Sequence, residues 1–220
     1  MPSSDPTLTL REVVRYPEDE ITDLVKLVTA QGSVIGRYHP AEGTQAILWV
    51  FGSGGGLGGP AGGVYTRLAQ QLQPEGVASL ELDYRRPGEL RPCVLDVLLG
   101  LDWLGSLGKD RVVLVGHSFG GAVVVNAGVL SGRVVAVAAL SSQTAGTAAV
   151  DELSPKPLLL IHGEADEILP PVCSLDLHDR AGEPKELILY PGCRHGLDHC
   201  RGALDRDLLR WLRAVLDAPA

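Results

Sequence analysis

From residue 46 onward, the chain alternates short, continuous apolar runs with longer segments of helical character. The apolar runs have the composition of strands that are buried on both faces, because a half-exposed strand would alternate apolar and polar residues. These runs are Ala46–Phe51, Val77–Leu82, Arg111–Val115, Val134–Leu140, Pro157–Ile161 and Glu186–Tyr190. Parallel strands buried in this way form the central layer of an α/β protein.

Segments with helical patterns separate these strands. The candidate helices are Val64–Gln73, Leu90–Leu107, Gly120–Leu130, Val172–Ala181 and Ala203–Leu216. Right-handed crossovers would place them on both sides of the sheet. The predicted fold is therefore α/β: a doubly wound, mostly parallel sheet of about seven to eight strands with helices on both faces.

The N-terminal segment has a different pattern, in which strand-like stretches are separated by turn residues. These stretches are Leu8–Val14, Asp23–Thr29 and Ser33–Arg37. We expect residues 1–40 to form antiparallel edge strands, residues 46–216 to form the parallel core, and residues 1–220 to be one domain. The connection between Leu140 and Pro157 is too short for a helical cap, so the edge of the sheet there should be open.

The strongest local motif is the Gly-His-Ser-Phe-Gly-Gly segment at residues 116–121, between a predicted strand and a predicted helix. A serine on such a sharp turn needs neighbours without side chains, which glycine provides. Ser118 would then lie at the carboxyl edge of the sheet and at the amino end of a helix, where developing negative charge is favoured. A tight structural turn is the other interpretation of the same residues.

A nucleophilic serine needs a base, and the base needs a carboxylate that orients it. His195 follows the strand ending at Tyr190, and Asp166 follows the strand ending at Ile161. Both are therefore expected at the same edge of the sheet as Ser118. Glu164, Glu167 and Asp198 are other carboxylates near these positions.

The segments GHSFGG, HGEADEILPP and PGCRHG resemble the nucleophile, acid and histidine motifs of the α/β-hydrolase superfamily. The resemblance covers about Leu48 to Leu216 and is greatest to small, capless members of the dienelactone-hydrolase-like, carboxylesterase and thioesterase branches. It implies that Ser118 is the nucleophile, His195 the base and Asp166 the acid.

The same resemblance implies that the glycine-rich segment after the first buried strand contributes to an oxyanion hole. Glycines let backbone N–H groups approach a carbonyl closely, which is what an oxyanion hole needs. The predicted donors are the N–H groups of Phe119 and Ser53. In the family a His-Gly pair precedes the second donor, whereas this chain has Phe51-Gly52.

The glycine-rich segment also matches the residue pattern of a dinucleotide-binding fingerprint. Gly54, Gly56 and Gly59 have the required spacing, and the acidic residues Glu81 and Asp83 follow them. In a true fingerprint the helix begins within the glycine motif. Here Pro60, Gly62 and Gly63 delay the helix to about Val64. A Rossmann protein therefore remains an alternative that leaves Ser118, Asp166 and His195 without a role.

Other residues could assist such a site. Arg85 and Arg86 follow a predicted strand and could pair with an anionic substrate group, although a solvated turn would look the same. His117 is a further candidate for substrate contact, but His117, His39, His162 and His178 also suit structural or solvated positions.

Four cysteines, Cys93, Cys173, Cys193 and Cys200, are too few to suggest a disulfide framework, so free thiols are expected. Cys193, His195, His199 and Cys200 match no usual zinc spacing, and no metal or cofactor is predicted.

A formal net charge of −8 disfavours nucleic acid and anionic membranes as partners. The chain contains neither an evident leader nor an apolar run of about 18 residues, so a cytoplasmic protein without a membrane partner is expected.

The sequence therefore predicts an enzyme that hydrolyses a small-molecule ester or thioester and is a monomer or homodimer. A non-catalytic ligand- or partner-binding protein with the same fold is the alternative from a different class.

Overall fold

A computed structural model describes residues 8–218 of the chain. In this part, nine strands form one sheet in the order β1-β2-β3-β5-β4-β6-β7-β8-β9. The strands are β1 (Leu10–Pro17), β2 (Asp23–Thr29), β3 (Gly32–His39), β4 (Gln45–Val50), β5 (Ala78–Asp83), β6 (Arg111–His117), β7 (Val134–Leu140), β8 (Leu158–Gly163) and β9 (Lys185–Tyr190). The predicted doubly wound α/β fold is confirmed.

Three of these strands come from the N-terminal segment. β1, β2 and β3 pair antiparallel, and β3 joins the sheet antiparallel to β5. The remaining strands pair in parallel. The sheet exceeds the predicted count because all three N-terminal stretches are strands of the main sheet.

Helices cover both faces of the sheet. They are α1 (Pro60–Leu72), α2 (Leu90–Ser106), α3 (Phe119–Leu130), α4 (Val172–Arg180) and α5 (Arg201–Asp217). One hydrophobic cluster joins residues of α2, α3 and α4 to one face, and another joins α1 and α5 to the opposite face. The sheet is therefore the central layer of three.

Strand β4 illustrates why the strand sequences are continuously apolar. Leu48 and Val50 belong to the cluster beneath α2 and α3, whereas Ile47 and Trp49 belong to the cluster beneath α1 and α5. Successive side chains in a strand point to opposite faces, and both faces are covered here. All four side chains are at most 1% exposed.

The strand order changes direction at β4, which lies between β5 and β6. Ligands of open α/β sheets bind at such switch points, beyond the carboxyl ends of the strands. In the parallel pairing of β4 with β6, Val50 lies opposite Gly116. Continuing this register brings the segment after β4 beside Ser118.

The connection from β7 to β8 contains a short 3₁₀ turn, Val150–Leu153, and no α-helix. This agrees with the prediction that no cap is inserted there. Among residues 8–218, no helix is both long and apolar enough to cross a membrane.

Candidate active site

Ser118 lies on the tight turn between β6 and α3. Its φ of 57° is in the left-handed region, which is strained for any residue with a side chain. A Cβ atom on Gly116 would lie 2.2 Å from the carbonyl oxygen of Gly120, and one on Gly120 would lie 2.3 Å from that of Phe51. The N–H of Ser118 donates to the carbonyl of Leu140 at 2.8 Å. The glycines are therefore a steric requirement of the turn.

The structure brings Ser118, His195 and Asp166 into one hydrogen-bonded chain. Nε2 of His195 lies 3.0 Å from Oγ of Ser118, and Nδ1 of His195 lies 2.7 Å from Oδ2 of Asp166. The three residues follow β6, β9 and β8, so they meet at the carboxyl edge of the sheet. A proton on Nδ1 that is donated to Asp166 leaves Nε2 free to accept the hydroxyl proton of Ser118.

The carboxylate of Asp166 has further donors. Its Oδ1 accepts the N–H groups of Ile168 and Leu169, each at 2.9 Å, and its side chain is fully buried. Burial raises the pKa of Asp166, but the bonds from His195, Leu169 and Ile168 outweigh this effect and lower its pKa below the ordinary value. Asp166 is thus ionised at neutral pH.

The other three carboxylates in this region have different positions. Glu164, Glu167 and Asp198 are all exposed. Within residues 8–218, none of them forms a hydrogen bond with the imidazole of His195. Asp166 is the carboxylate that the structure brings to this histidine.

A second buried histidine, His162, contacts the same carboxylate, which the sequence analysis did not predict. Its Nε2 lies 2.9 Å from the carbonyl oxygen of Leu169 and 3.1 Å from Oδ2 of Asp166, and its Nδ1 lies 2.7 Å from Oγ of Ser174. Because a carbonyl only accepts, Nε2 carries the proton and Nδ1 accepts from the hydroxyl. Burial lowers the pKa of His162, in keeping with a neutral ring. The available signal was its place on β8, four residues before Asp166.

His117 lines the cleft at Ser118, but one of its ring nitrogens is bonded within the protein and the other is buried. Nε2 donates to the carbonyl oxygen of His195 at 2.9 Å, whereas Nδ1 is buried and has no partner within residues 8–218. Burial lowers the pKa of His117 to about 4, so its ring is neutral at neutral pH. His117 therefore supports the backbone of His195, and its contact with a substrate stays a prediction.

The glycine-rich loop, residues 52–59, follows β4, and its residues 52–55 line the same cleft as Ser118 and His195. The N–H of Gly55 donates to the carbonyl of Gly52 at 3.0 Å and closes a turn that contains Ser53. Within residues 8–218, no group accepts a hydrogen bond from the N–H of Ser53 or Phe119. The two predicted oxyanion donors therefore have no other partner in this part of the chain.

An open cleft of about 200 Å³ lies between this loop and the serine turn. It is lined by Phe51, Gly52, Ser53, Gly54, Gly55, His117, Ser118 and His195. A larger depression of about 530 Å³ between Arg111, Pro157 and Trp211 is at the opposite edge of the sheet and is lined by none of Ser118, Asp166 and His195. The smaller cleft is the candidate site, because Ser118 and His195 line it.

The structure does not bring Arg85 and Arg86 to this cleft. Both line a separate depression of about 150 Å³. Arg85 is paired with the fully buried carboxylate of Asp96, and Arg86 lies 3.7 Å from Glu89. The prediction of a substrate contact is corrected for Arg85, because Asp96 holds its guanidinium group.

The prediction of four free thiols is wrong. Cys193 and Cys200 form a disulfide, whereas Cys93 and Cys173 are free. Sequence spacing did not reveal the pair, because a turn at residues 191–200 brings the two cysteines together.

Among the described residues, no group of three or more histidine, cysteine or acidic side chains is arranged to hold a metal ion.

Comparison with solved structures shows that the chain has the α/β-hydrolase fold. The dienelactone hydrolase from Anabaena variabilis is similar, with a TM-score of 0.74 and 18% identity, over 93% of this chain and 99% of that one. Est1E from Butyrivibrio proteoclasticus has a TM-score of 0.71 and 16% identity, over 94% and 99% of the two chains. The α/β hydrolase GrgF from Penicillium sp. sh18 has a TM-score of 0.73 and 17% identity, over 88% and 97%. At these identities the likeness shows the fold alone.

Comparison of sequences gives a more limited match. No family model matches the chain. The uncharacterized protein YfhR of Escherichia coli K12 is 33% identical over 113 residues, which cover 41% of this chain and 40% of YfhR. The chain thus matches about two fifths of the length of this curated relative.

Proposed function

We propose that this protein is a serine hydrolase that cleaves a carboxylic ester or thioester of a small molecule. The observation that carries this proposal is the hydrogen-bonded chain from Ser118 through His195 to Asp166, with distances of 3.0 Å and 2.7 Å. A serine hydroxyl is a weak nucleophile until a base takes its proton, and these distances suit a histidine that donates from Nδ1 to Asp166 and accepts at Nε2 from Ser118.

In the proposed mechanism, Oγ of Ser118 attacks the carbonyl carbon while Nε2 of His195 takes its proton. The N–H groups of Phe119 and Ser53 stabilise the resulting oxyanion. His195 then protonates the leaving alcohol or thiol as the tetrahedral intermediate collapses to an acyl-enzyme. Water, deprotonated by the same nitrogen, attacks the acyl group, and the acid product leaves as Ser118 regains its proton.

Two observations support an ester or thioester as the substrate. The cleft at Ser118 is small and open to solvent, which suits an accessible acyl group. The proteins with similar folds include one named as a dienelactone hydrolase and one crystallised as an esterase domain from Rhodothermus marinus.

The experiment that tests this proposal measures hydrolysis of p-nitrophenyl acetate and of an acetyl thioester, followed by intact-protein mass spectrometry. We expect an acetyl adduct on Ser118 in wild type and none in Ser118→Ala. Asp166→Asn should lower kcat by roughly ten-thousandfold, because the amide stabilises the wrong tautomer of His195.

Glu167→Gln is the matched control, since it neutralises an exposed carboxylate next to Asp166. Its kcat should stay within about twofold of wild type. A folded wild-type protein that hydrolyses neither substrate and carries no adduct would contradict the proposal and favour a binding protein with this fold.

A further inference from the structure

The glycine-rich loop has a backbone that needs external support. Gly55, Gly56, Gly58 and Gly59 all have positive φ values between 69° and 101°. Glycine loses more conformational freedom on ordering than any other residue. A loop of this composition keeps one geometry only where neighbouring groups bind its backbone.

Two carboxylates at the end of β5 bind this backbone. Oδ1 of Asp83 accepts the N–H of Gly56 at 2.7 Å, and Oε2 of Glu81 accepts the N–H of Gly58 at 2.6 Å. Residues two apart in a strand point to the same face. Because β5 pairs in parallel with β4, its carboxyl end lies beside the start of the loop.

The Glu81 carboxylate is itself held in place. It is 1% exposed and accepts hydrogen bonds from Thr66 at 2.8 Å and from Arg37 at 3.4 Å, and Nε2 of His39 lies 3.2 Å away. Burial raises the pKa of Glu81, but the bonds from His39, Thr66 and Gly58 outweigh burial and lower it. A charged acceptor forms stronger hydrogen bonds than a neutral one, so Gly58 is firmly anchored.

Of the two contacts, the one with Asp83 is nearer along the chain to Ser53, the proposed oxyanion donor. Gly56 directly follows the turn in which the N–H of Gly55 donates to Gly52. A Cβ on Gly55 would lie 2.5 Å from Oδ1 of Asp83, so the carboxylate also packs closely against the turn. Ser53 is inside this turn, and its N–H direction depends on how the turn is held.

We propose that Asp83 is a positioning residue that fixes the turn carrying the N–H of Ser53, with Glu81 anchoring the far end of the same loop. This inference rests on the proposed hydrolase function. It assigns a role to Glu81 and Asp83, whose positions in the sequence match that of the ribose-binding acid in a dinucleotide-binding fingerprint. Here they bind the protein's own backbone.

The experiment compares Asp83→Ala and Asp83→Asn with wild type in the hydrolysis of p-nitrophenyl acetate, and records the Tm of each. The oxyanion forms only in the transition state, so a displaced donor lowers kcat and leaves KM nearly unchanged. We expect Asp83→Ala to lower kcat by about tenfold to a hundredfold, less than the loss of a whole oxyanion donor. Asp83→Asn should recover most of this loss, because its amide oxygen can still accept from Gly56.

Asp110→Ala is the matched control, since it removes the same charge from an exposed side chain at the opposite edge of the sheet. Its kcat should equal that of wild type. The inference is overturned if Asp83→Ala also keeps the wild-type kcat, or if Asp83→Asn loses as much as Asp83→Ala at equal Tm. If Asp83→Ala fails to fold, Asp83→Asn alone decides: a loss of more than about tenfold contradicts the inference. Inactivity of wild type itself would instead overturn the hydrolase proposal.

Discussion

At the scale of single residues, the buried imidazole of His117 should make the stability of the protein depend on pH. It is 4% exposed, and burial lowers its pKa from 6.5 to about 4. The groups that act on its charge are His195, Asp166 and His162. Between these two pKa values the unfolded chain binds a proton that the folded chain does not. Stability should therefore rise with pH in this window and fall on acidification.

The shift in the pKa of His117 corresponds to about 3 kcal/mol of unfolding free energy, which is lost as the pH falls from about 6.5 to about 4. His117→Gln keeps a donor for the carbonyl of His195 and removes the titration. We expect its urea unfolding free energy to decrease less than that of wild type between about pH 7 and about pH 5. His199→Gln, at an exposed position, should behave as wild type. Parallel pH profiles for His117→Gln and wild type would disprove the prediction.

The sequence predicted Ser118, Asp166 and His195 as a group because each follows a strand and their chain order is distinctive. The structure brings the three together, and their roles stay a prediction until activity is measured. His162 and Asp83 were not predicted to support the site, because their contacts depend on where loops fold back. The sequence favours a structural or solvated position for His162, whereas its side chain lies directly against Asp166.

At the scale of elements, the segment that carries His195 is closed by the disulfide between Cys193 and Cys200. The same segment is also held by backbone bonds, since Ala165 donates to the carbonyl of Cys193 and Ala61 donates to that of Gly196. The disulfide therefore restricts a loop whose position determines the distance from His195 to Ser118.

We expect Cys200→Ser to lower stability by roughly 2 kcal/mol, as estimated for a short closed loop. Its rate of ester hydrolysis should decrease as well, because His195 is less restrained. Cys173→Ser is the matched control, since it makes the same substitution at a free cysteine. The Tm of wild type should fall when a dithiol reductant is added, and that of Cys200→Ser should not change. A wild-type Tm that is indifferent to reduction would contradict this prediction.

Element boundaries were predicted well where the pattern was periodic. α2 was expected at Leu90–Leu107 and lies at Leu90–Ser106, and β7 lies at Val134–Leu140 as predicted. α1 begins at Pro60 in the structure, but Ala61, Gly62 and Gly63 have non-helical backbone angles. The regular helix therefore starts at Val64, where the sequence placed it. The disulfide could not be found in this way, since pairing depends on the local turn and not on periodicity.

At the scale of the molecule, the residues of the candidate site all lie at one edge of the sheet. The segments after β4, β6, β8 and β9 supply the glycine-rich loop, Ser118, Asp166 and His195. The direction of the strands made this edge predictable from the sequence, whereas the depth of the cleft depends on loop conformation. That residues 1–220 form one domain stays a prediction, and residues 1–7 and 219–220 lie outside the described part of the chain.

The proposed function requires that Ser118 be an activated nucleophile in the folded protein. Labelling by a fluorophosphonate probe at neutral pH measures this property without knowledge of the substrate. We expect wild type to be labelled, and labelling to be lost in Ser118→Ala and in His195→Ala, because the hydroxyl needs its base. Labelling that persists in Ser118→Ala, or its absence from folded wild type, would contradict the proposal that Ser118 is the catalytic nucleophile.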